Sequence, residues 1–281
     1  MSGVKAIEQL SARMKSENTL LCCGLDPDVG RLPVEVLARY ACDEDRVCEF
    51  LQEVVDLTAP YVCAFKAQKA FFDKLPGGHD VLKDIVAYIH VSHPGIPVIV
   101  DCKIGDIGNT MSSYTENLFT SLNADGVVVN PYMGDDVFEP LAKWSDKMIV
   151  VLVKTSNPSG GIVQDVILSG GEKLWEHVLD LVVDRWNHSG NLVPVLSSTS
   201  NLDMANIRTH IPDTMPILLA GIGAQGGNYT NLHNLLNSQG IGVFVNSSRG
   251  ILYPSSEQPW RLAIEQAAIT LKDALNAAKG P

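Results

Sequence analysis

Eight short apolar runs recur along the 281-residue chain: LLCCGL (20–25), YVCAF (61–65), VIV (98–100), GVVV (126–129), MIVVLV (148–153), LVPVL (192–196), ILLA (217–220) and GVFV (242–245). They are apolar at consecutive positions, as expected of strands buried on both faces. Most are separated by segments of helical period. In the first such segment Val47, Phe50, Leu51, Val54 and Val55 share one face, and Asp43 stands where a helix cap is expected. VLKDIVAYI, EKLWEHVLDLVVDRW and RLAIEQAAITLKDAL repeat the pattern. Strands that alternate with helices build a parallel sheet, and eight such units point to a closed one. The expected class is α/β, a single (β/α)8 TIM-type barrel spanning residues 1–281. An amphipathic helix over about residues 3–17 is expected before the first strand. An open doubly wound sheet is the alternative, suggested by GIGAQGG (221–227). That cluster follows the seventh run, whereas a dinucleotide fingerprint belongs to the first βα turn.

Composition narrows the partners. The formal charge is −11 with no basic run, which argues against nucleic acid, although a small anionic substrate can still meet a locally positive pocket. No apolar run approaches the roughly 18 residues of a membrane span, and MSGVKAIEQLSARMKSEN lacks the continuous apolar core of a secretion signal. The expected location is the cytoplasm. The six cysteines show no paired metal-ligand spacing, so reduced packing thiols are expected. His90 and His93 have no Glu or Cys partner nearby and suit solvated or capping roles better than zinc.

Functional residues of such barrels gather at the C-terminal ends of the strands. The first run ends at Asp26, the second at Lys66, and the third at Asp101 and Lys103, with Asp106 close behind. Strand alternation puts Asp101 and Lys103 on one face and Cys102 on the other. A lone Asp-x-Lys is most simply a structural ion pair. Convergence with Asp26, Lys66 and Asp106 makes a chemical site the better reading. Nearby carboxylates favour the charged ammonium of Lys103, whereas a Schiff-base lysine must expose a free amine. Lys103 is therefore suited to donating a proton and to stabilising developing negative charge.

The loops after strands seven and eight commonly hold phosphate in these barrels. Here the glycines of 221–227 let backbone N–H groups approach an anion, and Arg249 can grip phosphate oxygens in bidentate fashion. The segment TSNPSGGIVQDVILSGG after the fifth run is long enough for a lid or binding loop, and Ser156 and Asn157 can hydrogen-bond a heterocycle.

GLDPD, FKAQKAFF, VIVDCKIGDIGNT, VNPYMGDD, VKTSNPSG and GIGAQGG occur in order and end in the strand carrying Arg249. Along its whole length the sequence resembles the orotidine 5′-phosphate decarboxylase family, in particular its longer bacterial-type branch. The resemblance implies that Lys66, Asp101, Lys103 and Asp106 form a charged tetrad, with Lys103 the proton donor to C6 of the pyrimidine. It implies that Asp26 binds the ribose, Ser156 the pyrimidine, and Gln225 and Arg249 the phosphate. Asp106 and Thr110 would reach into a neighbouring subunit's site, making a homodimer. No metal or other cofactor is implied, so a carbanion-like transition state must be stabilised electrostatically.

Ile104, Ala67 and Ala220 depart from the family pattern, and Lys69 leaves two candidate lysines near strand two. Strand register favours Lys66. Two rival readings are a metal-dependent sugar-phosphate decarboxylase or aldolase on a similar barrel, and a non-catalytic nucleotide-binding barrel.

Overall fold

The computed structural model describes residues 5–200, 202–221, 229 and 231–280. Eight parallel strands close on themselves in sequence order: β1 (Leu21–Leu25), β2 (Ala64–Gln68), β3 (Val98–Ile104), β4 (Gly126–Val129), β5 (Met148–Leu152), β6 (Leu192–Ser197), β7 (Ile217–Ala220) and β8 (Val243–Ser247). Closure is made by β1 against β8, with Leu21 opposite Val245 and Cys23 opposite Ser247. The chain is thus an α/β barrel, as the consecutive apolar runs indicate, and it has no open edge to protect.

The helix Asp43–Thr58 shows how the sequence covers the barrel. Val47, Phe50, Leu51, Val54 and Val55 are all fully buried on its inner face. Three acidic residues in its first turn complement the helix dipole. Asp43 is itself the first helical residue and pairs with Arg46 at 2.7 Å; Cys42 occupies the capping position. The leading helix is shorter than expected, Ala6–Ser16. The EKLWEHVLDLVVDRW segment is helical over Leu174–Asp180 and then widens into a π-helical turn, Leu181–Trp186. Among the described residues no helix is long and apolar enough to cross a membrane.

Two strands differ from the reading of their apolar runs. β2 begins only at Ala64, because Pro60 and Tyr61 belong to a short 3-10 turn, Ala59–Tyr61. Lys66 therefore lies inside the strand rather than just beyond it. β3 runs on through its charged residues to Ile104, and its pairing with β4 slips between Val100 and Ile104. Lys103 sits in this bulge with φ +46°, a left-handed conformation that costs a residue with a Cβ roughly 1–3 kcal/mol. Gly105 follows where any side chain would collide with the Asn130 carbonyl at the end of β4.

Candidate active site

The strand ends open into one cavity of about 480 Å³. Its walls divide by chemistry. Val128, Leu152, Val195 and Leu218, from β4 to β7, make an apolar side. Lys66, Asp101 and Lys103, from β2 and β3, make a charged side. A flat ring can lie against the first while its reacting edge faces the second.

Asp101 organises the charged wall. One carboxylate oxygen accepts from Lys66 Nζ at 2.8 Å and the other from Lys103 Nζ at 2.7 Å. Lys66 and Asp101 are 5% and 7% exposed, whereas the Lys103 side chain is 46% exposed and projects into the open cavity. Burial alone would push the Asp101 carboxyl up, but Lys66 and Lys103 outweigh it and hold the carboxyl below its usual 3.8. For Lys66 burial again opposes the charged form, and Asp101 and Asp26 overcome it, leaving its pKa above the usual 10.5. The site therefore presents an ionised Asp101 bound to a protonated Lys66 over the whole neutral range.

Lys69 is excluded from this array, since it opens the next helix and pairs with Asp73 at 2.5 Å. Cys102 makes only weak contacts to the Val100 and Val128 carbonyls, and burial pushes its thiol up to about 11, so it offers no thiolate. All six cysteines are free; Cys22, Cys23 and Cys63 are buried as packing residues, whereas Cys42 is exposed. His90 and His93 bind Asp125 and Asp56 and take no part in a metal cluster among the described residues.

Asp26, Ser156 and Arg249 line the same cavity. Asp26 follows β1, and its Oδ1 is buried with no hydrogen-bond partner among the described residues. A buried acceptor left unpaired costs about 1–3 kcal/mol, and this oxygen retains the capacity to accept a hydrogen bond. Asn246 of β8 has an Oδ1 in the same state and lines the same cavity. The sequence reading passed over Asn246 because an amide at a strand end carries no distinguishing signal. Arg249 opens a short helix, Arg249–Leu252, directly after β8.

Asp106 and Thr110 do not converge on this cavity. The Asp106 carboxylate accepts the backbone N–H of Ile107 at 2.8 Å, and Thr110 is exposed on the helix Gly108–Glu116. The register slip of β3 and the positive φ of Lys103 immediately precede this segment. Gln225 and most of its glycine loop lie outside the described residues.

The sequence reading also missed Lys154. It is 4% exposed just beyond β5 and binds Asp165 at 2.8 Å. Gln164 adds two hydrogen bonds to Thr155, one from the Thr155 N–H at 3.0 Å and one to its hydroxyl at 2.8 Å. These contacts tie the segment after β5 to itself across about ten residues, and its Ser156 and Asn157 line the cavity. The available signal was a lysine ending an otherwise apolar run.

A second cavity, about 680 Å³, lies on the flank between Asp135–Phe138 and Leu181–Trp186. Its Asp135 and Arg185 are already bound to each other, and it reaches Ile149 and Leu192 at the N-terminal starts of β5 and β6, the opposite end of the strands from the charged wall.

Fold and site together define a (β/α)8 barrel whose mouth carries a lysine–aspartate–lysine array beside an apolar wall. Residues 19–258 match the family model described as "Orotidine 5′-phosphate decarboxylase / HUMPS family". The chain is 42% identical over 274 residues to orotidine 5′-phosphate decarboxylase of Bordetella petrii, covering 97% of this chain and 99% of that one. Among solved structures, Leishmania donovani OMP decarboxylase superposes with a TM-score of 0.83 at 29% identity, covering 98% and 99% of the two chains. L. donovani UMP synthase gives 0.85 at 30% identity, with 99% of this chain covering only 57% of that longer one. The chain belongs to the orotidine 5′-phosphate decarboxylase / HUMPS family.

Proposed function

We propose that this protein converts orotidine 5′-monophosphate to UMP and CO2, the closing step of de novo pyrimidine nucleotide synthesis, with no cofactor. The observation that carries the reading is the pair of contacts from Lys66 and Lys103 to Asp101, set at the mouth of a barrel of this family. In the reaction the bond from C6 to the carboxylate breaks, CO2 leaves, and the electron pair remains on C6. Lys103 stabilises that pair and supplies the proton that replaces the carboxylate. Asp101, held ionised, keeps Lys103 aimed at C6 and crowds the departing carboxylate. Lys66 keeps Asp101 ionised and in place. Asp26 binds the ribose, Ser156 the pyrimidine, and Arg249 with Gln225 the phosphate.

The decisive experiment follows orotidine 5′-monophosphate absorbance with purified protein and excess chelator. Undiminished turnover is expected. Activity that appears only when a divalent metal is restored would favour a metal-dependent sugar-phosphate enzyme. Tight UMP binding without turnover would leave a nucleotide-binding barrel.

We further propose a cytoplasmic homodimer in which Asp106 and Thr110 complete the neighbouring subunit's site. Their failure to reach the cavity of their own chain supports this, as does the apolar surface around them. Ile107 and Tyr114 are each 47% exposed, Met133 53% and Tyr132 86%. Mixing inactive Lys103→Ala and Asp106→Ala proteins after reversible dissociation tests it. In a hybrid dimer one site carries both changes and the other neither, so random reassociation restores roughly a quarter of wild-type activity. A mixture that stays inactive, while both variants dimerise normally, refutes site sharing.

A further inference from the structure

We propose that Tyr253 is a positioning residue that fixes the ribose-binding end of the site relative to the phosphate-binding end. This rests on the roles assigned above to Asp26 and Arg249. Tyr253 lies one helical turn beyond Arg249, and its backbone N–H donates to the Arg249 carbonyl at 3.1 Å. Its hydroxyl accepts the backbone N–H of Asp28 at 2.6 Å, across 225 residues of sequence. Asp28 is two residues from Asp26, and the proline between them, Pro27, leaves that short link little freedom. A side-chain hydrogen bond thus joins the two loops directly, above the pairing of β1 with β8 that already joins their strands.

Other contacts hold the tyrosine in register. Its ring stacks on the fully buried Phe50 at 5.7 Å with an interplanar angle of 11°. The Arg31 guanidinium lies 4.4 Å over the ring centre, and Arg31 Nη2 donates to the Tyr253 carbonyl at 3.3 Å. Asp28 is in turn held by its own side chain, which accepts from the Gly30 N–H at 3.2 Å. Burial pushes the phenol up to about 12, so the hydroxyl keeps its proton throughout the working range and the contact does not switch with pH. β1 and β8 are neighbours already, with Ser248 packed so closely over Gly24 that any side chain there would strike it. Tyr253 extends that fixed spacing from the strands to the loops above them.

Tyr253→Phe keeps the ring on Phe50 and beneath Arg31 and removes only the hydroxyl. Calorimetric titration with UMP and with uridine reads the result. The preference for UMP over uridine is expected to fall roughly tenfold, because an unpaired Asp28 N–H lets the two loops drift. Uridine affinity should stay within about twofold, since Asp26 itself is untouched. In turnover, KM for orotidine 5′-monophosphate should rise with kcat at saturation nearly unchanged. Arg31→Met, which loosens the same tie from its other side, should move the preference in the same direction by less.

A variant with a lower Tm but an unaltered UMP-to-uridine ratio would show that Tyr253 merely stabilises the fold, and would overturn the proposal. Wild-type protein that does not prefer UMP to uridine would overturn the phosphate assignment and this inference with it. Wild-type preference retained intact in Tyr253→Phe would overturn this inference alone.

Discussion

Lys103→Ala is expected to lower turnover of orotidine 5′-monophosphate by roughly 10²–10⁴-fold while the barrel stays folded. The two halves of that expectation come from different observations. Both lysines bind Asp101, but Lys66 is buried whereas Lys103 is half exposed in the open cavity, which makes Lys103 the one of the pair placed to protonate a carbanion on C6. Yet the Lys103 side chain is half exposed, so its ion pair with Asp101 is screened and contributes little to folding. Asp101 keeps Lys66, and no buried charge is stranded. A Tm change smaller than about 5 °C is therefore expected. Lys103→Arg sharpens the test. It keeps the positive charge, but a guanidinium is effectively never deprotonated, so it cannot complete the proton transfer. It should be nearly as inactive as the alanine variant. Near-normal turnover in either protein would sink the assignment of Lys103 as proton donor.

The barrel was legible in the sequence because burial on both faces leaves its mark on every strand. Each of the eight runs overlaps an observed strand, and the helical face of Asp43–Thr58 is buried at all five expected positions. The run at 61–65 misplaced β2, since Val62 and Cys63 are buried without being in the strand. Apolar identity reports burial and does not distinguish a strand from the turn feeding it. Asp101 and Lys66 were legible because a charge ending a core strand demands a partner, and each supplies the other's.

The bulge at Lys103 was not legible. Nothing in D-x-K announces a lysine at positive φ, a conformation sequence rules reserve for glycine and asparagine. Alternation predicted the right neighbours by the wrong route: the side chains of Asp101 and Lys103 meet although the regular pleat has broken between them. Asp106, beyond the end of β3, is not among the residues lining the cavity, which counting along a strand could not foresee. Lys154 and Asp165 stand eleven residues apart in a loop without periodicity, so only the folded chain brings them together.

Asp101→Asn is expected to damage both stability and turnover, and its pH dependence separates it from an ordinary core mutation. The change leaves the Lys66 ammonium 95% removed from solvent with Asp26 but without its hydrogen-bonded carboxylate, the larger of the two that offset its burial. Breaking one side of such a buried pair costs about 3–5 kcal/mol, or roughly 6–20 °C in Tm for a chain of this size. Turnover falls as well, because Lys103 loses the oxygen that orients it. The sign of the pH effect follows from the direction of the shift. The carboxyl of Asp101 is held below its usual 3.8, so its contribution is fully present above that value and is lost as pH falls through the lower native one. The stability deficit of the variant should be flat from about pH 5 to about pH 9, then narrow in acid as wild type itself becomes protonated. Lys66→Met supplies the comparison: it removes the buried cation instead, leaves Asp101 paired with Lys103, and should cost less stability than Asp101→Asn. Equal stability losses in the two variants, or a deficit that grows in acid, would show that Asp101 is not the ionised centre around which the site is assembled.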